Sequence, residues 1–343
     1  MVSVETYTIS SNEGVDILEW KIPQRVLAIL LKDHSTGKNI KWCTDDYSKA
    51  RGAETGFEAG DEIRLEQLVN PDDQVIRPRV VKDKAEQRQR SIERAEVFTP
   101  SWICNQQNNL VDCAWFGTKT SPFNLEIKNG WRTKNAAIKF PTSRKALDYI
   151  LANRLEITCG EAPYLASRYD TVSGAPIPVE DRIGLLDRKL RIVTEIVPGA
   201  RPDIWMDFAK YALKSVYAYD WQGDNVFLAR ENLLWTVLEH LVAYTGAESA
   251  AISVNTMAEL AEIISWNVWQ MDGIKFVVPD TCGTVEEMPG IANPCQACKK
   301  NKPGLKMMHN GIHCRIMDWE AGQEVLFMPP FDFAPCEPKE PKS

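Results

Sequence analysis

The run Leu155-Glu156-Ile157-Thr158-Cys159-Gly160-Glu161-Ala162-Pro163-Tyr164-Leu165 constrains this chain more than any other stretch. It starts apolar, turns through small residues and resumes with an aromatic and an aliphatic, which reads as a buried strand, a tight loop and the first turn of a helix. In doubly wound α/β domains such a loop follows the first strand, and its backbone N–H groups face a nucleotide-like ligand. A Cys-Gly turn between two core elements is the plain alternative. The neighbouring segments decide between them.

Upstream stands Ala95-Glu96-Val97-Phe98-Thr99-Pro100-Ser101-Trp102-Ile103. Downstream stand Val216-Tyr217-Ala218-Tyr219-Asp220 and a helix-like Phe227-Leu228-Ala229-Arg230-Glu231-Asn232-Leu233-Leu234. In this order the segments resemble the gamma class of S-adenosylmethionine-dependent DNA amino-methyltransferases, and the chain looks like restriction-modification "M" subunits, from about residue 77 to 319. The resemblance implies an α/β fold with a doubly wound, Rossmann-like methyltransferase sheet; the sequence itself adds a small N-terminal region and a C-terminal zinc-ribbon-like region. The resemblance also implies S-adenosyl-L-methionine as cofactor, held by Phe98, Thr99, Pro100, Glu156, Thr158, Cys159, Gly160 and Asp220, with Asp220 on the ribose hydroxyls. On physical grounds Glu156 suits either the methionine ammonium of that cofactor or the loop's own backbone. Gly160 permits close backbone approach, and Pro163 stiffens the turn. The Gly-Glu-Ala string departs from the family's usual second glycine.

With 343 residues, 44% of them hydrophobic, the chain can build one large or two modest domains. The reading divides it into an α+β or β-rich N-terminal region (1–76), a methyltransferase-like domain (77–280) and a Cys-rich tail (281–343). No stretch approaches the roughly 18 uncharged apolar residues of a membrane helix, so a cytoplasmic protein with no membrane partner is expected. Between Tyr169 and Val216 lies more chain than one crossover helix requires, so extra helices are expected there. Residues 227–269 carry the spacing of two amphipathic helices broken near Thr245-Gly246, with Trp266, Trp269 and Met271 on the second as core residues.

A net charge of −7 argues against a uniformly basic nucleic-acid binder, so any DNA contact must come from local patches. Three are available, at 77–94, 128–145 and 299–315, with Arg88, Arg90, Lys134, Lys139, Lys299 and Lys300 as the candidate phosphate contacts. A solvated face is the simpler reading of each. The amide-rich Asn105-Gln106-Gln107-Asn108-Asn109 suits a cofactor carboxylate, a backbone turn or a base edge. Trp131 is read as stacking on a base or anchoring a loop.

In a reducing compartment nine cysteines are packing residues, metal ligands or reactive thiols. Cys43, Cys104, Cys113, Cys159 and Cys336 stand alone, whereas Cys295-Gln296-Ala297-Cys298 is a pair whose spacing lets two thiolates grip one zinc ion. We expect a zinc site of Cys295, Cys298 and Cys314, with Cys282 entered as fourth ligand and His309 and His313 left open beside it.

Amino-methyltransferases of the resembled class carry an Asn/Asp-Pro-Pro-aromatic segment that holds the target amine of a flipped base. The nearest string here, Met328-Pro329-Pro330-Phe331, lacks the polar residue and stands twelve residues from the last one. The expected function is therefore a DNA adenine methyltransferase in a restriction-modification or related system, with DNA and a second subunit supplying missing segments as partners. The alternatives are a non-catalytic cofactor- or DNA-binding subunit and, more remotely, a zinc-dependent nuclease built on His309 to His313.

Overall fold

The computed structural model describes residues 5–10, 21–51, 55–82, 84, 87–88, 99–282, 295, 297–298 and 308–328. Phe98, Arg90, Lys299, Lys300 and Cys336 lie outside the described residues, as do Pro329, Pro330 and Phe331.

The described residues form a mixed α/β structure of small sheets and packed helices. Three short strands, β4 (Arg154–Ile157), β5 (Val216–Asp220) and β7 (Val268–Gln270), make a parallel sheet in the order β4-β5-β7. Around it are antiparallel pairs: β1 (Thr6–Ser10) with β6 (Ser249–Ser253), β2 (Asn124–Ile127) with β3 (Gly130–Thr133), and β8 (Arg315–Asp318) with β9 (Gln323–Leu326).

At the centre lies a long helix, α8 (Gly223–Thr245), buried on all sides from Gly223 to Val242. A helix apolar around most of its circumference can only be a core element. Its first residue is Gly223, where a Cβ would stand 2.2 Å from the Lys41 carbonyl oxygen. It stops at Gly246, whose left-handed backbone returns its N–H to the Ala243 carbonyl. This is the break expected near Thr245-Gly246. After β6 comes α9 (Val254–Asn267), capped by Ser253, which carries Trp266; Trp269 lies on β7 and Met271 just beyond it. All three are buried, as expected of core residues, but two of them belong to the third strand and its exit.

The stretch between Tyr169 and Val216 does hold additional helices, α6 (Leu185–Ile196) and α7 (Pro202–Lys214), stacked on one another and on α8. The N-terminal stretch shares this core: β1 pairs β6, α1 (Gln24–Leu31) packs on α9, and Ile9, Val26, Leu30 and Trp42 join the main apolar cluster.

The helical layer also buries charge. Arg188 on α6 pairs with Asp112 on α4 (Ser101–Phe116), and its other amine bonds Asn105 at 2.8 Å and Asn109 at 3.0 Å. Asn108 donates to the carbonyls of Tyr164 and Ile183. These three amides of the Asn/Gln run thus serve the interior. Trp131 is an anchor, its indole N–H donating to the Asp181 carbonyl at 2.8 Å.

Candidate ligand cleft and metal centre

All three parallel strands point their carboxyl ends the same way, and beyond β4 and β5 opens a cleft of about 730 Å³. Thr99, Glu156, Thr158, Cys159, Gly160 and Asp220 line it, so six of the eight residues expected at a cofactor site share one cavity. Pro100 directly precedes α4, adjoining Thr99. Gln107, Asn108, Val111, Tyr164, Leu185 and Trp221 complete much of the wall. Among these, Val111 and Leu185 carried no sequence signal beyond helical periodicity.

The loop leaving β4 is unusual in its backbone. Thr158 has φ 47° and Ala162 φ 60°, in the left-handed region that β-branched and other non-glycine residues avoid, and Gly160 lies there too at 53°. Two carboxylates hold this shape. Glu156 reaches under the loop to accept the N–H groups of Tyr164 at 3.3 Å and Leu165 at 3.1 Å. Asp220 at the end of β5 accepts Gly160 N–H at 2.9 Å on one oxygen and Gln222 N–H at 2.9 Å on the other. Of the two roles open to Glu156, it thus performs the ordering of the loop. Asp220 spends a lone pair of each oxygen on amides, yet remains on the cleft wall.

Burial raises the pKa of both acids. That of Glu156 is pushed up to about 8, chiefly by desolvation and further by the nearby Asp220 charge, against the pull of its two amide bonds. Asp220 is raised by desolvation in the same way. No Lys, Arg or His is among the described residues lining the cleft. Burial pushes the Cys159 thiol well above its ordinary range, so it is an inert wall residue.

A second cluster lies near the C-terminus. Cys282, Cys295, Cys298 and His309 bring one ligand atom each to within 4.8 Å of one another. His309 Nδ1 stands 3.3, 3.5 and 3.4 Å from the sulfurs of Cys282, Cys295 and Cys298, and the sulfurs of Cys282 and Cys298 are 3.4 Å apart. Tetrahedral zinc, with bonds of about 2.3 Å to sulfur and about 2.0 Å to nitrogen, sets neighbouring ligands roughly 3.5–3.8 Å apart, so the four residues could hold such an ion.

Cys314, expected among the ligands, does not belong to this group. It is buried in a separate cluster with Tyr219, Trp269, Met271 and Val278, its sulfur facing the Gln270 carbonyl at 3.5 Å, and burial raises its pKa. His309 takes its place, four positions before His313, whose ring instead faces the Phe276 carbonyl. Spacing alone could not separate them, because the chain bends at Asn310-Gly311 between His309 and the later two residues. The Val278 N–H bond to Ile312 and the Ile312 N–H bond to Thr281 fasten the two arms of the metal group together.

Of the candidate DNA contacts, three are described. Arg88 and Lys139 are exposed, whereas Lys134 is half-buried and donates to the Ser121 carbonyl at 2.6 Å. In the first basic stretch, Lys82 is buried beside Asp224. No family model, curated protein or solved structure matches the chain.

Proposed function

We propose that the cleft binds S-adenosyl-L-methionine and that the protein is a DNA amino-methyltransferase acting on the exocyclic amine of adenine. The observation that carries this reading is the polarity of the cleft: two buried acids that a bound cation would ionise, exposed loop backbone, apolar walls, and no cation among its described lining residues. A phosphate-rich ligand such as a dinucleotide or nucleoside triphosphate needs Lys, Arg or a metal to offset its charge, as well as helix-end N–H groups. A cationic nucleoside needs the reverse. Within the cleft, Thr99, Gln107 and Asn225 offer hydrogen bonds, while Val111, Leu155 and Ile157 offer apolar contact. When bound, the sulfonium would supply the methyl group; Glu156 and Asp220 would fix the loop against it and favour its positive charge.

The target amine requires a polar clamp, and no Asn/Asp-Pro-Pro-aromatic string occurs in the sequence. The same reading therefore includes a second polypeptide that supplies it. Calorimetry with S-adenosylmethionine, its neutral demethylated product and ATP tests the cofactor half: the sulfonium form should bind tightest and ATP not at all. Tighter binding of ATP would overturn it. Duplex DNA titrated at increasing salt tests the other half, since each phosphate neutralised should lower log K by about 0.9 per decade of salt. Lys139→Glu should flatten that slope by about one phosphate, and no binding at low salt would remove DNA as a direct partner of this chain.

A further inference from the structure

The two edges of the parallel sheet are finished differently. Along β7 the outer side is covered: Gln270 grips both the N–H and the carbonyl of Lys41, and the Arg230 guanidinium caps the Val268 carbonyl at 2.6 and 2.9 Å. β7 is buried throughout. Along β4, Leu155 is 47% exposed and Ile157 61% exposed. Its alternation is inverted, with Glu156 turned in and the two aliphatic residues turned out.

The register shows what the free edge offers. Arg154 N–H donates to the Ser215 carbonyl on the β5 side, so Glu156 faces β5 as well, and the N–H and carbonyl groups of Leu155 and Ile157 face outward. Val111 on α4, which shares the cleft wall with Leu155 and Ile157, is 41% exposed. Exposed apolar residues along an open strand edge mark an interaction site.

We infer that the free edge of β4 is a docking site for an apolar β-strand of a second polypeptide, added parallel to β4. The Ile157 carbonyl accepts the Thr158 hydroxyl at 2.7 Å; the remaining outward donors and acceptors, evenly spaced, select a strand over a helix, as in other cases of strand addition. A second copy of this chain is the less suitable occupant. Twofold pairing that bonds Leu155 to Ile157 of the copy would run antiparallel and set Glu156 opposite its equivalent, opposing two buried carboxylates. A parallel strand has no such conflict, and it ends at the cleft, whose wall includes Val111, Leu155 and Ile157. In open α/β sheets the ligand crevice lies where strands continue on both sides of the first one, and among the described residues one side of β4 has no strand. The docked strand would close the cleft and carry its following residues to the ligand. This inference goes beyond the cofactor reading and holds for whatever ligand the cleft takes.

The probe is a fluorescein-labelled peptide, Lys-Lys-Val-Ile-Val-Ile-Thr-Lys, with a photo-crosslinker at its carboxyl end, titrated against the full chain without nucleoside. Saturable anisotropy is expected, with slowed hydrogen exchange at the Leu155 and Ile157 amides and crosslinks at Thr158 to Gly160. The doubly substituted Leu155→Lys, Ile157→Lys chain should bind at least tenfold more weakly. Should that variant fail to fold, amide exchange in the unsubstituted chain still decides. No saturable binding up to 500 µM peptide (about −4.5 kcal/mol) would overturn the inference, as would crosslinks at the Arg154 end or a dimer whose β4 amides are protected without peptide. Calorimetry of the cofactor is a separate measurement, so failure of one reading leaves the other standing.

Discussion

Buried negative charge is handled in three ways in this protein, and the contrast between two of them locates the ligand site. In the helical layer three buried acids face basic side chains. Asp112 meets Arg188, Glu239 lies between Arg168 and Arg182, and Asp187 faces His240 at 2.9 Å. Burial pushes the pKa of Glu239 upward, but the two guanidinium groups outweigh it, and His240 with Arg182 does the same for Asp187. At the cleft, Glu156 and Asp220 have amide N–H groups instead, and their pKa values rise. An acid supplied with its own cation is finished; an acid held by amides beside a cavity suits a cation that arrives from outside. The Cys282, Cys295, Cys298 and His309 group is the third case, a cluster that could hold a metal ion, whose binding would draw the protons off its thiols.

The largest effect should come from that third case. Elemental analysis should return one zinc per chain, and Cys298→Ser should remove it. Structural zinc in small modules contributes on the order of 10 kcal/mol to folding, so residues 277–282 and 308–314 should lose exchange protection while α8 keeps its own. Protection unchanged in the metal-free variant would show that the arms are held by their hydrogen bonds alone.

Next is Arg188→Met, which leaves Asp112 buried without its cation and should destabilise the chain by about 3–5 kcal/mol. Chemical denaturation measures it. A cost near zero would erase the distinction drawn between paired and unpaired acids.

The sequence revealed the cleft better than this layer. Three ordered segments with small residues, an acid before a turn and an acid ending a strand were enough to place Thr99, Glu156 to Gly160 and Asp220 on one cleft, although Thr158 holds a left-handed backbone that its type avoids. Arg188 and Lys189 gave no such signal. Charged residues on a helix read as a solvated face, and only tertiary packing turns them inward, where Lys189 donates to the Ile150 and Ala152 carbonyls and Ser215. The sheet showed the same limit: strand-like runs were legible, but the exposed side of Leu155 and Ile157 was not, since an apolar alternation normally points to the core.

A smaller loss is expected from Asp220→Ala. Removing the acceptor of Gly160 and Gln222 N–H groups frees the loop and deletes a charge from the cleft wall, which should weaken binding of S-adenosylmethionine by about 1.5–3 kcal/mol, read by calorimetry. Equal affinity would sever Asp220 from the ligand site.

The smallest effect is the most specific, because it has opposite signs in the two kinds of acid. Glu239 and Asp187 have lowered pKa values, so their contribution to stability is present above the ordinary carboxylate range and is lost as pH falls through it. Glu156 has its pKa raised from 4.5 to about 8. Its folded form holds the proton that the unfolded form releases, so its contribution is complete below about 4.5 and disappears as pH rises to about 8. Glu156→Gln cannot titrate, and its stability should fall less over that window than that of the unsubstituted chain. A cationic ligand reverses the preference. It favours ionised Glu156, so affinity for S-adenosylmethionine should climb between pH 6 and 8 in the unsubstituted chain and stay flatter in Glu156→Gln. Parallel pH profiles for the two proteins, in stability and in binding alike, would mean that Glu156 is ionised throughout and that its amide bonds, rather than its burial, set its charge.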